Sequence, residues 1–163
     1  EGERGPRRAR RGEARLWPPL VPKMATEDVR WDNWTLVSDA IQSTSEDLLL
    51  VVVCFAQKWS PASLHSAMTV EKIRKSGEAD RNGAQVFIID ADEERGRCWE
   101  NGVRATPCFS FYWRGKQMSV QRVLHDDDVK LTGSFSEKTI LDVIKGARES
   151  GLRGETYFSA RVV

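Results

Sequence analysis

Apolar positions in this chain follow two rhythms that alternate along its length. Trp34, Val37 and Ile41 fall three and four apart, the spacing of one buried helical stripe, and predict a first helix over 28–43. Trp31 and Trp34, three apart on it, read as core packing. Leu48 to Ala56 is a near-continuous apolar run rich in valine, too short for an independent helix and suited to a central strand covered on both faces. Pro61 fits the first turn of a following helix, where its missing amide donor costs nothing, and Leu64, Ala67, Met68, Val70 and Ile73 supply the buried side. That helix is expected to end near Lys75-Ser76-Gly77.

The same reading places a strand over Gln85 to Ile89. The acids Asp92, Glu93 and Glu94 then open a short helix reaching Trp99, where they complement the helix dipole. Cys108 to Trp113 predicts a strand with Phe109, Phe111 and Trp113 on one face; Arg114-Gly115 makes a tight turn, and Lys116 to Leu124 returns as its antiparallel partner. Ser134-Phe135-Ser136-Glu137 has the form of a capping box ahead of Ile140, Leu141, Ile144 and Ala147, a last amphipathic helix to about 149. Strands alternating with helices, closed by a hairpin and a helix, imply an α/β sandwich with a mixed sheet.

At 163 residues the chain can bury a core without disulfides or metal. The organisation expected is a basic leader over 1–23, a domain over 24–150 and a tail over 151–163 whose Tyr157 and Phe158 dock on the domain or on a partner. The leader carries seven basic residues against three acidic ones, so the net charge of +1 conceals a basic start and a mildly acidic remainder. It reads as a disordered extension ahead of a natural start at Met24, as a basic arm for nucleic acid or an acidic surface, or as a transit peptide that its glutamates and prolines oppose. No stretch approaches a membrane span, so a soluble protein is expected. Cys54, Cys98 and Cys108 are odd in number and widely spaced, which speaks against a disulfide framework or a zinc site and for reduced thiols in the cytoplasm.

Four segments share one register. Val51-Val52-Val53-Cys54-Phe55 leads into Trp59-Ser60-Pro61-Ala62-Ser63; Ile88-Ile89-Asp90-Ala91-Asp92 closes the next strand; Val103-Arg104-Ala105-Thr106-Pro107 precedes the aromatic strand Phe109 to Trp113; and Arg114-Gly115 turns it. Over about residues 28–149 the chain thereby resembles the thioredoxin family. The resemblance implies a three-layer α/β/α sandwich with a central mixed sheet and a cis-proline at Pro107. It also places Ser60 and Ser63 where the family carries the two cysteines of Trp-Cys-Gly-Pro-Cys, Pro61-Ala62 between them, and Cys54 where the family has a buried aspartate that moves a proton. A serine hydroxyl has no accessible thiolate-like state and cannot open a disulfide.

The function expected is that of a redox-inactive protein-binding or complex-assembly module, like the thioredoxin-fold subunits of chaperone-associated, spliceosomal or ciliary dynein assemblies. Trp59, Ser60, Thr106 and Pro107 are the candidate peptide-binding residues, because Thr106 can offer its backbone to an extended segment. The alternative is a thiol or glutathione-dependent enzyme. It would use Ser60 as some glutathione transferases use a serine at this helix start, or Cys108 as a reactive thiol beside Arg104; Ser60 as a plain helix cap and Cys108 as core packing are the competing readings. Cys54 reads as a buried apolar residue and Cys98 as a thiol open to oxidation. The segment His125-Asp126-Asp127-Asp128-Val129-Lys130 reads as an acidic insert protruding between the hairpin and Gly133, and His65, His125 and the three aspartates lack metal-ligand spacing. No cofactor, metal, membrane or nucleic-acid partner is expected, and the cytoplasm, a cilium or the nucleus is the expected location.

Overall fold

The computed structural model describes residues 28–43, 49–122 and 130–161. The leader over 1–23, the Met24 start, Leu48, the strand positions at Val123 and Leu124, and the acidic run from His125 to Asp128 lie outside the described residues.

β1 (Leu50–Ala56) is buried at every position and forms the centre of the sheet, as its unbroken apolar run demands. It pairs in parallel with β2 (Ala84–Asp90), Cys54 opposite Ile88, and antiparallel with β3 (Cys108–Trp113), Cys54 opposite Phe109. The sheet is therefore mixed. One face, with Cys54, Phe109, Phe111 and Trp113, packs on α2 (Pro61–Ser76) and α5 (Glu137–Leu152). The other, with Val53, Phe55, Cys108 and Tyr112, is covered by α1 (Trp34–Ser43) and α4 (Arg95–Glu100). A single turn, α3 (Glu78–Arg81), links α2 to β2. This is the three-layer α/β/α arrangement.

α1 is shorter than its periodicity predicts. Asp32 is drawn to the sheet edge, its N–H donating to the Ile88 carbonyl at 2.8 Å while its carboxylate accepts the Ile88 N–H at 2.9 Å and faces Arg74 at 2.7 Å. The helix starts only after this anchor, where Asn33 Oδ1 accepts the Leu36 N–H at 3.0 Å as a cap. Trp31 consequently precedes the helix and packs on the α2 face, whereas Trp34 stacks on Phe55 across the sheet at 6.2 Å between ring centroids. α2 begins at Pro61 and ends at Gly77, whose φ of 75° lies in the left-handed region that glycine tolerates. Met68, expected inside, is exposed, and the buried seam runs through Ser63, Leu64, Ser66, Ala67, Val70, Glu71 and Ile73 instead.

The largest departure follows β3. Arg114 and Gly115, both at positive φ, make the two-residue turn expected, but the return strand β4 covers only Lys116–Gln117. The chain then leaves the sheet as β5 (Ser119–Arg122) and comes back as β6 (Lys130–Thr132), which pairs with Cys108 to Ser110 on the same edge of β3. β5 pairs in parallel with β7 (Tyr157–Ala160), in the segment read as a tail. Phe158 is 1% exposed and meets Phe111 edge-on at 4.9 Å. Lys130, assigned by sequence to the acidic insert, is a buried β6 residue whose Nζ donates to the Gly102 carbonyl. α5 is capped by Ser136, not Ser134: the Ser136 Oγ accepts the Thr139 N–H at 3.2 Å. Among the described residues no helix is long and apolar enough to cross a membrane.

Candidate functional site

The C-terminal ends of β1 and β2 and the loop entering β3 meet on one side of the molecule, and four side chains tie them together. Thr106 Oγ1 donates to Gln57 Oε1 at 2.6 Å; Gln57 Nε2 donates to Asp92 Oδ1 at 3.1 Å; and Trp59 Nε1 donates to Asp92 Oδ2 at 2.9 Å. Gln57 and Trp59 follow β1, Asp92 follows β2, and Thr106 precedes β3. Beneath them Asp90, 6% exposed, holds the Asp92 N–H on Oδ1 at 2.9 Å and faces Lys58 on Oδ2 at 3.4 Å. The Lys58 Nζ also lies 5.0 Å from the centre of the Trp31 ring.

The loop after β1 turns into α2 through a Ser60 N–H bond to the Gln57 carbonyl at 3.1 Å. Ser60 is the helix cap: its Oγ accepts the Ser63 N–H at 3.4 Å, a long bond, and Pro61 occupies the first turn. Ser63 is fully buried, its Oγ without a hydrogen-bond partner among the described residues. Pro61 and Ala62 are exposed between them. The Thr106-Pro107 bond is cis, and the Pro107 carbonyl accepts the Gly133 N–H at 3.0 Å. The sequence-derived candidates Trp59, Ser60, Thr106 and Pro107 thus cluster, with Gln57 as the link between the two loops.

Two of the thiols are withdrawn from this surface, and the third, Cys98, is 7% exposed on the lining of the adjoining cleft. Cys54 is fully buried beneath α2, and burial, with the Cys108 thiol nearby, pushes its ionisation far above the ordinary thiol range. Cys108 is fully buried on the opposite face, so the candidate reactive thiol is not presented to a partner, while Arg104 is exposed. Cys98 is also buried rather than open, its Sγ 3.8 Å from the Ala91 carbonyl; desolvation, then Glu94, Asp90 and Asp92, push it up to about 11. Among the described residues no cluster of three His, Cys, Asp or Glu side chains could hold a metal ion, and His65 is exposed on α2.

Beside the four-residue chain lies a cleft of about 350 Å³ lined by Gln57, Asp92, Arg95, Trp99, Arg104 and Thr106, among others. Trp59 and Trp99 are 67% and 86% exposed, unusual for the largest apolar side chain. A larger, open groove of about 1010 Å³ follows the outer face of α2 past His65, Met68 and Lys72 and touches none of these residues. The sequence reading missed Gln57 altogether and treated Asp92 as a helix-dipole residue and Trp99 only as the end of a short helix. A bare surface tryptophan leaves no periodic signal in a six-residue helix, and the bonds at Gln57 join residues 35 and 49 positions apart.

No protein-family model matches the chain, and no curated protein matches it. Solved structures do. A variant thioredoxin from Halobacterium salinarum is 20% identical, with a TM-score of 0.52 over 72% of this chain and 87% of its own. The Malassezia sympodialis thioredoxin is 18% identical, with a TM-score of 0.53 over 82% and 99%. Oxidised mitochondrial thioredoxin 3 of Saccharomyces cerevisiae is 17% identical, at 0.52 over 74% and 96%. The chain has a thioredoxin-like fold.

Proposed function

We propose that this thioredoxin-like chain is a redox-inactive protein-binding module, a component of a larger complex, that grips an extended segment of its partner in the cleft lined by Gln57, Trp99 and Thr106, beside Trp59. The observation that carries this is the bonded chain Thr106–Gln57–Asp92–Trp59. It holds three loops around an open cleft that Gln57 joins to the loop carrying Ser60, and the one thiol on the cleft lining, Cys98, is 7% exposed. A site that exchanges disulfides needs an ionisable sulfur at its surface, whereas a binding site needs only shape and unspent polar groups. Among the described residues the main chain of Thr106 has no hydrogen-bond partner. An extended peptide can supply one, as strand addition does elsewhere.

The enzymatic alternative draws less support. The Ser60 Oγ is engaged by the Ser63 N–H, and Cys108 lies in the core. Three buried thiols suit a reducing compartment, and a cytoplasmic setting is proposed with the function.

Affinity capture with the tagged chain, run beside Thr106→Arg and Trp59→Ala, tests the reading. Partners retained by the native chain and lost by both variants are expected, with circular dichroism unchanged. Retention of every partner by both variants would place the binding surface elsewhere and overturn it.

A further inference from the structure

We infer that the segment taken by this cleft is acidic: an extended peptide whose Asp or Glu side chains are read by Arg95 and Arg104 while an apolar side chain lies against Trp99. The inference rests on the reading that the cleft binds peptide at all. It comes from the charges on the lining of the cleft itself. Two guanidinium groups, Arg95 and Arg104, stand there against one carboxylate, Asp92, which keeps its charge while accepting from the neutral Gln57 and Trp59 donors. Outside the lining Asp90 is paired with Lys58, and Glu100 with Arg97 at 2.9 Å. The two lining cations are weakly held. Arg95 has 83% of its side chain exposed and reaches Asp92 only at 4.0 Å; Arg104 is exposed and makes no hydrogen bond or ion pair among the described residues.

Two guanidinium groups on the lining of one cleft, Arg104 unpaired among the described residues and Arg95 only loosely paired with Asp92, are complementary to carboxylates, which they can grip with paired parallel N–H bonds. Arg95 and Trp99 are four apart on α4 and so share a face, which places an apolar platform beside the first cation. Exposed tryptophan next to arginine is the composition that dominates binding energy at protein interfaces. A nucleic acid is the other polyanion such a pair would suit. Asp92 on the lining and the exposed Glu93 next to it in the chain oppose a continuous phosphodiester track more than they oppose two separate carboxylates, each gripped by its own guanidinium.

The test is a selection of random dodecapeptides on the full chain, followed by fluorescence anisotropy with a selected peptide, its Asn/Gln counterpart, its Lys counterpart and a labelled oligouridine. Selected sequences are expected to carry acids around an aromatic or aliphatic residue. Their amide counterparts should bind roughly tenfold more weakly, and the native affinity should fall with added salt. Arg95→Glu and Arg104→Glu should each weaken the acidic peptide severalfold, and the double variant should instead take the Lys peptide, a gain that misfolding cannot mimic. Peptides that bind and are lost in the bulky, uncharged variant Thr106→Phe, yet show no acid preference and ignore both arginine variants, would overturn this inference and leave the proposed function standing. Peptide binding that Thr106→Phe does not touch would remove both. Oligouridine bound through Arg95 and Arg104 where no peptide binds would overturn the inference in favour of nucleic acid.

Discussion

One carboxylate, Asp92, orders the candidate site, because it is the acceptor that both Gln57 and Trp59 share. Asp92→Ala should destabilise the fold by about 1 kcal/mol, the modest net value of hydrogen bonds at a partly exposed anion, read by urea denaturation. The Trp59 indole N–H resonance should move toward the position of a solvent-exposed indole. Cys98 provides a pH signature. Its folded ionisation near 11 lies above the ordinary 9.0, so the unfolded chain releases this proton first. Its contribution is constant below about 9 and is lost as pH rises from there through about 11. Urea midpoints should therefore fall across that window, and less steeply in Cys98→Ala. At this scale Trp59, Ser60 and Thr106 were legible from motif register alone. Gln57 was not, and Asp92 and Arg104 were read only as a helix-dipole residue and as a cation beside Cys108, since what makes all three notable is a bond, or the lack of one, to residues far away in the chain.

The helix caps separate pattern from geometry. The sequence Ser134-Phe135-Ser136-Glu137 offers two serines, and the capping-box spacing to Glu137 favoured the first as cap; the backbone chose Ser136, leaving Ser134 Oγ to meet Ser66 Oγ at 3.2 Å. Ser136→Ala should cost about 1 kcal/mol in denaturant titration and Ser134→Ala distinctly less; the reverse order would restore the sequence-based assignment. Strands β1 and β3 were legible because a buried strand must be apolar along its whole length, and β3 matches its expected bounds Cys108–Trp113. The start of α1 was hidden because Asp32 belongs to the sheet edge through Ile88 and Arg74, partners that no local window contains. The return strand misled for a related reason. Its alternation is genuine, but only Lys116–Gln117 pairs with β3, and Ser119–Arg122 finds its partner in β7 near the end of the chain.

As a whole, the molecule departs from a plain alternating sandwich by this excursion, β5 with β7, which makes the segment after α5 part of the packed structure. Phe158→Ala should therefore cost about 3 kcal/mol, the range for emptying a buried aromatic site, seen as a lowered midpoint of thermal unfolding. A change within a few tenths of a kcal/mol would mean that β7 is an ornament. Cys54 and Cys108 are fully buried, Cys98 is 7% exposed, and the Ser60 hydroxyl caps α2. The decisive measurement is insulin reduction by dithiothreitol with the native chain beside the double variant Ser60→Cys with Ser63→Cys. The account predicts a trace at the dithiothreitol background for the native chain and accelerated precipitation for the double variant. Acceleration by the native chain that disappears in Cys108→Ser would contradict it.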